Sequence, residues 1–161
     1  MSVVNVHASC VMLSDAGAMF GAPPDGGILI LGESGAGKSS VVLKLLALGA
    51  TLVADDRADL FVRDGLLHAA APATLAGLLE ARGLGIVALP YAADSPITLA
   101  VRLGPAPPRY PEREDYEPPA PLIVRARPPL LRLSAEDMAI AEKIVLAAAA
   151  FSNALFREAP L

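Results

Sequence analysis

A glycine-rich segment in the first quarter of the chain has residue types and spacing that suit phosphate binding. Residues 32–39 read Gly-Glu-Ser-Gly-Ala-Gly-Lys-Ser and fit the pattern G-x-x-x-x-G-K-[ST] at every position. Glycines let backbone N–H groups converge on phosphate oxygens without Cβ clashes. We expect the Lys38 ammonium to reach the β- and γ-phosphates of a nucleotide and the Ser39 hydroxyl to ligate Mg²⁺. The predicted nucleotide-binding residues are Gly32, Glu33, Ser34, Gly35, Ala36, Gly37, Lys38, Ser39 and Ser40.

Two adjacent aspartates follow the next predicted strand. Residues 51–54 are a short apolar run, and Asp55 and Asp56 come directly after it. An acid at the end of such a strand often holds Mg²⁺ through water. Two neighbouring carboxylates can also divide the work, one near the metal and one accepting a proton, when their environments separate their pKa values. The alternative is a solvated pair of turn residues, which is common for aspartate.

Hydrophobic periodicity predicts the elements that must position these motifs. Short apolar runs rich in valine and isoleucine predict strands, and Asp64-Gly65 between two such runs indicates a hairpin. A strand before the glycine segment and a helix after it, ending at Gly49, argue against the alternative of a turn that binds nothing. The predicted strands are residues 3–13, 28–31, 51–54, 58–63, 66–70, 85–89 and 97–103, with edge strands at 122–124 and 130–133. The predicted helices are residues 39–48, 74–81 and 134–156.

The alternation of strands with helical segments predicts an α/β fold in one domain of residues 1–161. Residues 14–27 are predicted to be an inserted loop because they are rich in glycine and proline. Residues 105–121 hold seven of the 15 prolines among charged residues, which predicts an exposed, partly mobile loop. Ser134 is the predicted cap of the last helix.

The composition excludes several classes of protein. No run of 18 apolar residues is present, so we expect no membrane-spanning helix and no membrane partner. The N-terminus lacks the basic flank and apolar stretch of a secretory signal, and a single cysteine, Cys10, cannot form an internal disulfide. A cytoplasmic protein is therefore expected. The net charge of −4 also argues against nucleic acid as the main partner.

Four sequence blocks, in this order, resemble the HPr kinase/phosphorylases, bacterial enzymes that phosphorylate a serine of the phosphocarrier protein HPr and can also remove that phosphate. The blocks are Val-His-Ala at 6–8, the glycine segment at 32–39, Leu-Val-Ala-Asp-Asp at 52–56 and Leu-Glu-Ala-Arg-Gly-Leu-Gly-Ile at 79–86. The resemblance implies a P-loop nucleotide-binding domain of the HPr kinase/PEP carboxykinase type, with a mixed β-sheet and flanking helices. It also implies ATP and Mg²⁺ as cofactors and HPr as the protein substrate in the phosphotransferase system.

The resemblance also implies roles for individual residues. Asp56 would take the proton of the substrate serine and return it in the reverse reaction. Asp55 would lie near the metal, and Ser39 and Glu80 would ligate Mg²⁺. Lys38 would neutralise charge on the transferred phosphoryl group.

Two further residues are candidates on the same basis. His7 would line the active site beside the phosphate, the alternative being a strand histidine whose ring is satisfied by neighbours. Arg82 would bind phosphate or hold its loop, the alternative being a surface arginine.

Three features of the chain depart from the family pattern. The sequence starts at the kinase domain, so a short form without the family's N-terminal domain is expected, and residues 14–27 lengthen the span between His7 and Lys38. A G-R-N segment near the C-terminus is not recognisable, and Arg132 is the candidate for its arginine. This departure concerns the expected phosphorylase activity rather than the expected kinase activity. The family forms hexamers, which implies a homo-oligomer.

Two other functions remain open from the sequence. The first is a small-molecule P-loop kinase, which needs an arginine-rich substrate lid, whereas residues 105–132 are rich in proline. The second is a nucleotide-responsive regulatory module without catalysis. An Asp56→Asn substitution would leave the phenotype of such a module intact.

Overall fold

Strands make up most of the regular structure in the computed structural model, which describes residues 1–158. The strands are β1 Val4–Met12, β2 Gly27–Leu31, β3 Thr51–Ala54, β4 Arg57–Arg63, β5 Leu66–Ala70, β6 Leu78–Ala81, β7 Gly85–Ala88, β8 Ser95–Leu103, β9 Glu114–Asp115 and β10 Pro129–Leu133. The helices are α1 Lys38–Ala47 and α2 Ile140–Ser152. In the part of the chain described, neither helix is long and apolar enough to cross a bilayer.

The long strands β1 and β8 each pair with strands of two sheets. The larger sheet has the order β3-β1-β2-β8-β10-β9, in which β8 is parallel to β2 and β10 and the other pairs are antiparallel. Strands β4 and β5 link the first half of β1 to the start of β8 by antiparallel pairs. Strands β6 and β7 form a separate hairpin. The predicted mixed β-sheet of an α/β fold is confirmed.

Two hydrophobic clusters fill the space on either side of β2. Ile28 and Ile30 point into the cluster that both helices cover, whereas Leu29 and Leu31 point into the cluster enclosed by β4 and β5. All four side chains are buried. A wholly apolar strand is therefore required at this position, because neither face of β2 meets water.

Most of the predicted elements are confirmed to within two residues. These are the seven strands predicted between residues 3 and 103 and the helix predicted at 39–48. Asp64 and Gly65 both have positive φ, of 54° and 77°, as a two-residue type I′ hairpin turn requires.

The helix predicted at residues 74–81 is wrong. Residues Ala73–Leu75 form one 3₁₀ turn, and Leu78–Ala81 is strand β6. Gly77 has a φ of 75°, which no helix residue adopts, and Leu79 packs into the cluster beneath the helices. The apolar run is too short for its length to distinguish a helix from a strand.

The predictions for the two edge strands are corrected as well. Residues 122–124 form no strand. The strand predicted at 130–133 is confirmed as β10, but it is not at the edge, because β9 lies beyond it. Prolines at its start are tolerated because they pair through their carbonyl groups, and the Tyr116 N–H donates to the Pro128 carbonyl at 2.8 Å.

The last helix is shorter than the predicted 134–156. It begins at Ile140, and the Ser134 hydroxyl accepts a hydrogen bond from the Glu136 N–H in a preceding turn. The carboxylate of Asp137 instead accepts the N–H of Ala139 at the helix start. Ser134 therefore does not cap the helix, because five residues, 135–139, separate it from the first helical residue, Ile140.

Candidate active site

The glycine segment connects the end of β2 to the start of α1. Gly35 and Gly37 have φ values of 83° and 99°, in the left-handed region that side-chain-bearing residues avoid. A Cβ on Gly37 would also lie 3.0 Å from the Ala135 Cβ. These two positions require glycine, and they turn the backbone so that the loop closes over the N-terminus of α1. We call residues 32–39 the P-loop.

The Lys38 side chain is held inside the P-loop. Its ammonium donates hydrogen bonds to the carbonyl oxygens of Gly32, at 2.7 Å, and Glu33, at 2.9 Å. The residue is 4% exposed, so its charge is fixed in place within the loop. An ammonium at this position can attract the phosphate tail of a nucleotide.

The Asp55 carboxylate joins the P-loop to three other elements. It accepts hydrogen bonds from the hydroxyls of Ser39, at 2.8 Å, and Ser9, at 3.0 Å. Its second oxygen accepts the Glu80 N–H at 3.3 Å. Because Asp55 is buried, these donors take the place of water around its charge. The start of α1, β1, β3 and β6 are thereby tied together at one point.

Asp56 lies at the mouth of the P-loop in a left-handed conformation, with a φ of 66°. Its N–H donates to the Ser9 hydroxyl at 2.9 Å, which holds the backbone in this uncommon conformation. The Asp56 carboxylate is 57% exposed and lies 3.9 Å from the Lys38 ammonium and 3.7 Å from His7 Nδ1. An exposed carboxylate beside a phosphate-binding lysine can accept a proton from an incoming hydroxyl.

Strand topology explains why His7 meets these groups. Because β1 is antiparallel to β2, Ala8 pairs with Leu31, and His7 therefore lies beside the start of the P-loop. A cavity of about 650 Å³ opens there, lined by His7, Gly32, Ser34 and other P-loop residues, and by Arg102 from β8.

Two predicted site residues, Glu80 and Arg82, have side chains that lie outside the cluster around the P-loop. Glu80 and Arg82 are both exposed, and within residues 1–158 neither side chain forms a hydrogen bond or ion pair. Only the Glu80 backbone reaches Asp55. Of the predicted metal ligands, Ser39 and Asp55 therefore meet, whereas the Glu80 carboxylate does not join them.

The chemistry of the donors fits Mg²⁺. The Ser39 hydroxyl and Asp55 carboxylate are hard oxygen ligands in contact with each other. No three His, Cys, Asp or Glu side chains of residues 1–158 cluster as a metal site. Mg²⁺ does not need such a cluster, because it keeps several waters and takes phosphate oxygens beside one or two protein ligands.

Two residues of the site were missed by the sequence analysis. Ser9 bonds to both aspartates. The sequence could have indicated Ser9, because residues two apart in a strand lie on the same face and Ser9 is two residues after His7 in a valine-rich strand. Arg102 lines the cavity from β8, and nothing in the local sequence connects it with the P-loop.

The strand, glycine loop and helix, with paired acids at the end of a neighbouring strand, define a P-loop α/β domain. The family model of the HPr Serine kinase C-terminal domain matches residues 6–92, more than half of the chain. The chain belongs to this family, as the sequence motifs predict.

Curated relatives match a shorter segment. An HPr kinase/phosphorylase of Clostridium novyi is 48% identical over 64 residues, and one of Clostridium tetani is 50% identical over 64. One of Lacticaseibacillus casei is 50% identical over 62 residues. These matches cover 40%, 40% and 38% of this chain but only 21%, 21% and 19% of the relatives, about a fifth of their length.

A solved structure is similar over most of the fold. The HPr(Ser) kinase/phosphatase of Coxiella burnetii superposes with a TM-score of 0.67 at 20% sequence identity. The match covers 89% of this chain and 88% of that one. The predicted fold class is thus supported beyond the segment that the curated relatives match.

Proposed function

We propose that the protein is an ATP- and Mg²⁺-dependent kinase that phosphorylates a serine of HPr in the cytoplasm. The family is that of HPr serine kinases, and the curated relatives are named HPr kinase/phosphorylase. One observation carries the proposal to this chain. The exposed Asp56 carboxylate lies 3.9 Å from the Lys38 ammonium, at the open side of the P-loop, while Asp55 is bonded to Ser39.

The residues then have separate tasks. Lys38 and the P-loop N–H groups bind the phosphate tail of ATP. Ser39 and Asp55 hold Mg²⁺, which neutralises phosphate charge when it is bound. Asp56 accepts the proton of the substrate serine hydroxyl. At the same time the serine oxygen bonds to the γ-phosphorus, while the bond between that phosphorus and the β-phosphate oxygen breaks. His7, 3.7 Å from Asp56, orients that carboxylate.

The reverse reaction is part of the proposal, with Asp56 returning the proton to the serine oxygen. Arg132, the candidate for the missing G-R-N arginine, donates hydrogen bonds to both Glu114 oxygens, at 2.8 and 3.1 Å. Its guanidinium is therefore occupied. For this reason we expect the kinase direction to exceed the phosphorylase direction in this chain. Assembly into a homo-oligomer is a further part of the proposal.

The decisive experiment is a phosphotransfer assay with Mg-ATP and HPr from the same genome, read by mass spectrometry of phosphoserine. We expect Asp56→Asn to lower the rate about 100-fold or more while Mg-ATP binding is retained, because one general base contributes about 10²–10⁴. Asparagine tolerates the left-handed conformation, so the fold should persist.

Asp64→Asn is the matched control, because Asp64 is also an exposed aspartate with positive φ, in the β4–β5 turn. Its activity should equal that of the wild type. Absence of phosphoserine with wild-type protein, while a reference HPr kinase labels its own HPr, would contradict the proposal. Full activity of Asp56→Asn would contradict the assignment of the base.

A second candidate function is phosphorylation of a small anionic molecule. A cavity of about 1120 Å³ lies beneath residues 104–114. Its lining includes five arginines, Arg102, Arg109, Arg113, Arg132 and Arg157. The sequence suggested a proline-rich segment without an arginine lid, whereas folding gathers arginines from distant positions. ATP consumption with an anionic metabolite and none with HPr would favour this candidate.

A further inference from the structure

Arg102 is placed beside the P-loop by the parallel pairing of β8 with β2. In this register Arg102 pairs with Leu31, the last residue before the P-loop, and on its other side with Arg132 of β10. The carboxyl ends of parallel strands lie at the same edge of a sheet, where ligands of α/β proteins bind. The Arg102 side chain is exposed and lines the cavity that also contains His7, Gly32 and Ser34.

The charge of Arg102 is not neutralised by a partner. Within residues 1–158 its guanidinium makes no hydrogen bond or ion pair. The pKa of the Glu114 carboxyl is lowered mainly by its hydrogen bond with Arg132 and to a smaller extent by the nearby charge of Arg102. Both Glu114 oxygens are already bound by Arg132. Two guanidiniums therefore share one carboxylate, and one positive charge remains available at this edge of the sheet.

The P-loop itself is short of positive charge. Three carboxylates, of Glu33, Asp55 and Asp56, belong to or border the P-loop, against the single ammonium of Lys38. A nucleoside triphosphate adds several further negative charges. An additional cation beside the loop would offset this repulsion where the phosphate tail enters.

We propose that Arg102 binds the terminal phosphate of the nucleotide donor across the mouth of the P-loop, and so favours a triphosphate over a diphosphate. This inference rests on the proposed function. The planar guanidinium can donate two parallel hydrogen bonds to phosphate oxygens. It would approach the phosphate from the side opposite Asp56, since β8 and β3 flank the β1–β2 pair on opposite sides.

The test is calorimetric binding of Mg-ADP and of a Mg²⁺ complex of a non-hydrolysable ATP analogue. We expect Arg102→Ala to lower the affinity for the triphosphate about tenfold or more, which is the loss expected for a charged hydrogen bond. Its affinity for the diphosphate should fall by less than about threefold. The triphosphate affinity of Arg102→Lys should lie between those of the wild type and Arg102→Ala, because lysine keeps the charge but not the paired donors. Arg125→Ala removes the same charge beside Gly65, at the opposite end of β4 from His7, and should bind as wild type does.

Three outcomes would overturn the inference. The first is an unchanged triphosphate affinity in Arg102→Ala, and the second is an equal loss of affinity for both nucleotides in that variant. The third is an equal loss of triphosphate affinity in Arg125→Ala, which would indicate an effect of net charge alone. Thermal melting of each variant establishes that the fold is retained. Failure of wild-type protein to bind either nucleotide would instead contradict the proposed function itself, so the two failures are distinguishable.

Discussion

Ser9 is the residue that makes the two aspartates act as a unit. Its hydroxyl donates to the Asp55 carboxylate and accepts the Asp56 N–H, and it is fully buried. One hydroxyl thus orients the carboxylate that contacts Ser39 and stabilises the left-handed backbone of Asp56. The position of the proposed base depends on this small side chain, although Ser9 itself meets no substrate.

Ser9→Ala should lower both stability and turnover. We expect a loss of about 1–3 kcal/mol in the free energy of unfolding, because the part-buried Asp56 N–H and a carboxylate oxygen of the buried Asp55 each lose a partner. The rate of phosphotransfer should fall by more than the KM for ATP rises, since Ser9 contacts the P-loop only through Asp55. Urea unfolding and steady-state kinetics measure the two effects.

Ser95→Ala is the control for this prediction. Ser95 is equally buried, and its hydroxyl donates to the carbonyls of Asp25 and Pro96, away from the aspartates. It should lower stability without changing turnover. If Ser95→Ala slowed the reaction as much as Ser9→Ala, the effect of Ser9 would be one of general stability.

At the scale of elements, the start of α2 shows how a helix boundary is decided. Asp137 Oδ1 accepts the Ala139 N–H, and Asp137 also pairs with Lys143 on the first turn. These contacts lower the pKa of Asp137, the Lys143 hydrogen bond more than the backbone one. The helix therefore begins where a carboxylate can satisfy both a free N–H and a lysine, rather than at the earlier serine.

Asp137→Ala should lower the melting temperature by more than Ser134→Ala does, because only Asp137 bonds at the helix start. The pKa of Asp137 is depressed in the folded state, so its contribution is fully present above the ordinary aspartate pKa of about 3.9. It is lost as the pH falls through the lower folded value. Thermal melts at pH 7 and below pH 3 test this; a difference between wild type and Asp137→Ala that persisted at the lower pH would contradict it.

At the scale of the molecule, the site forms where strands of different direction end together. Because β3 is antiparallel to β1, Ala54 pairs with Cys10, which brings Asp55 next to Ser9. The parallel β8 adds Arg102 from the other side of β2. Binding of a nucleotide at this junction would join both sheets and α1, so its effect should extend to the whole fold.

Mg-ATP should therefore raise the melting temperature of the whole protein in one transition. At about 100 times the dissociation constant, ligand binding adds about 2.7 kcal/mol, which corresponds to about 5–10 °C for a domain of this size. EDTA should remove most of the shift if Ser39 and Asp55 hold Mg²⁺, and Lys38→Ala should abolish it. No shift of the wild type in saturating Mg-ATP would rule out nucleotide binding.

The sequence by itself determined the parts of the protein that depend on local chemistry. The P-loop, the strands on both sides of it, the Asp64-Gly65 turn and the order of the family motifs could all be predicted, because each follows from residues close together in the chain. The presence of a glycine loop, followed by two aspartates after the next strand, likewise predicted where the nucleotide site would lie.

Only the tertiary structure decided which side chains meet there. Ser9 and Arg102 join the site through strand register, which depends on contacts across the sheet that no local pattern encodes. The same long-range packing turned residues 78–81 into a strand by burying Leu79, and left the Glu80 and Arg82 side chains exposed. A local sequence pattern can select an element, but burial against distant residues determines its final conformation and its neighbours.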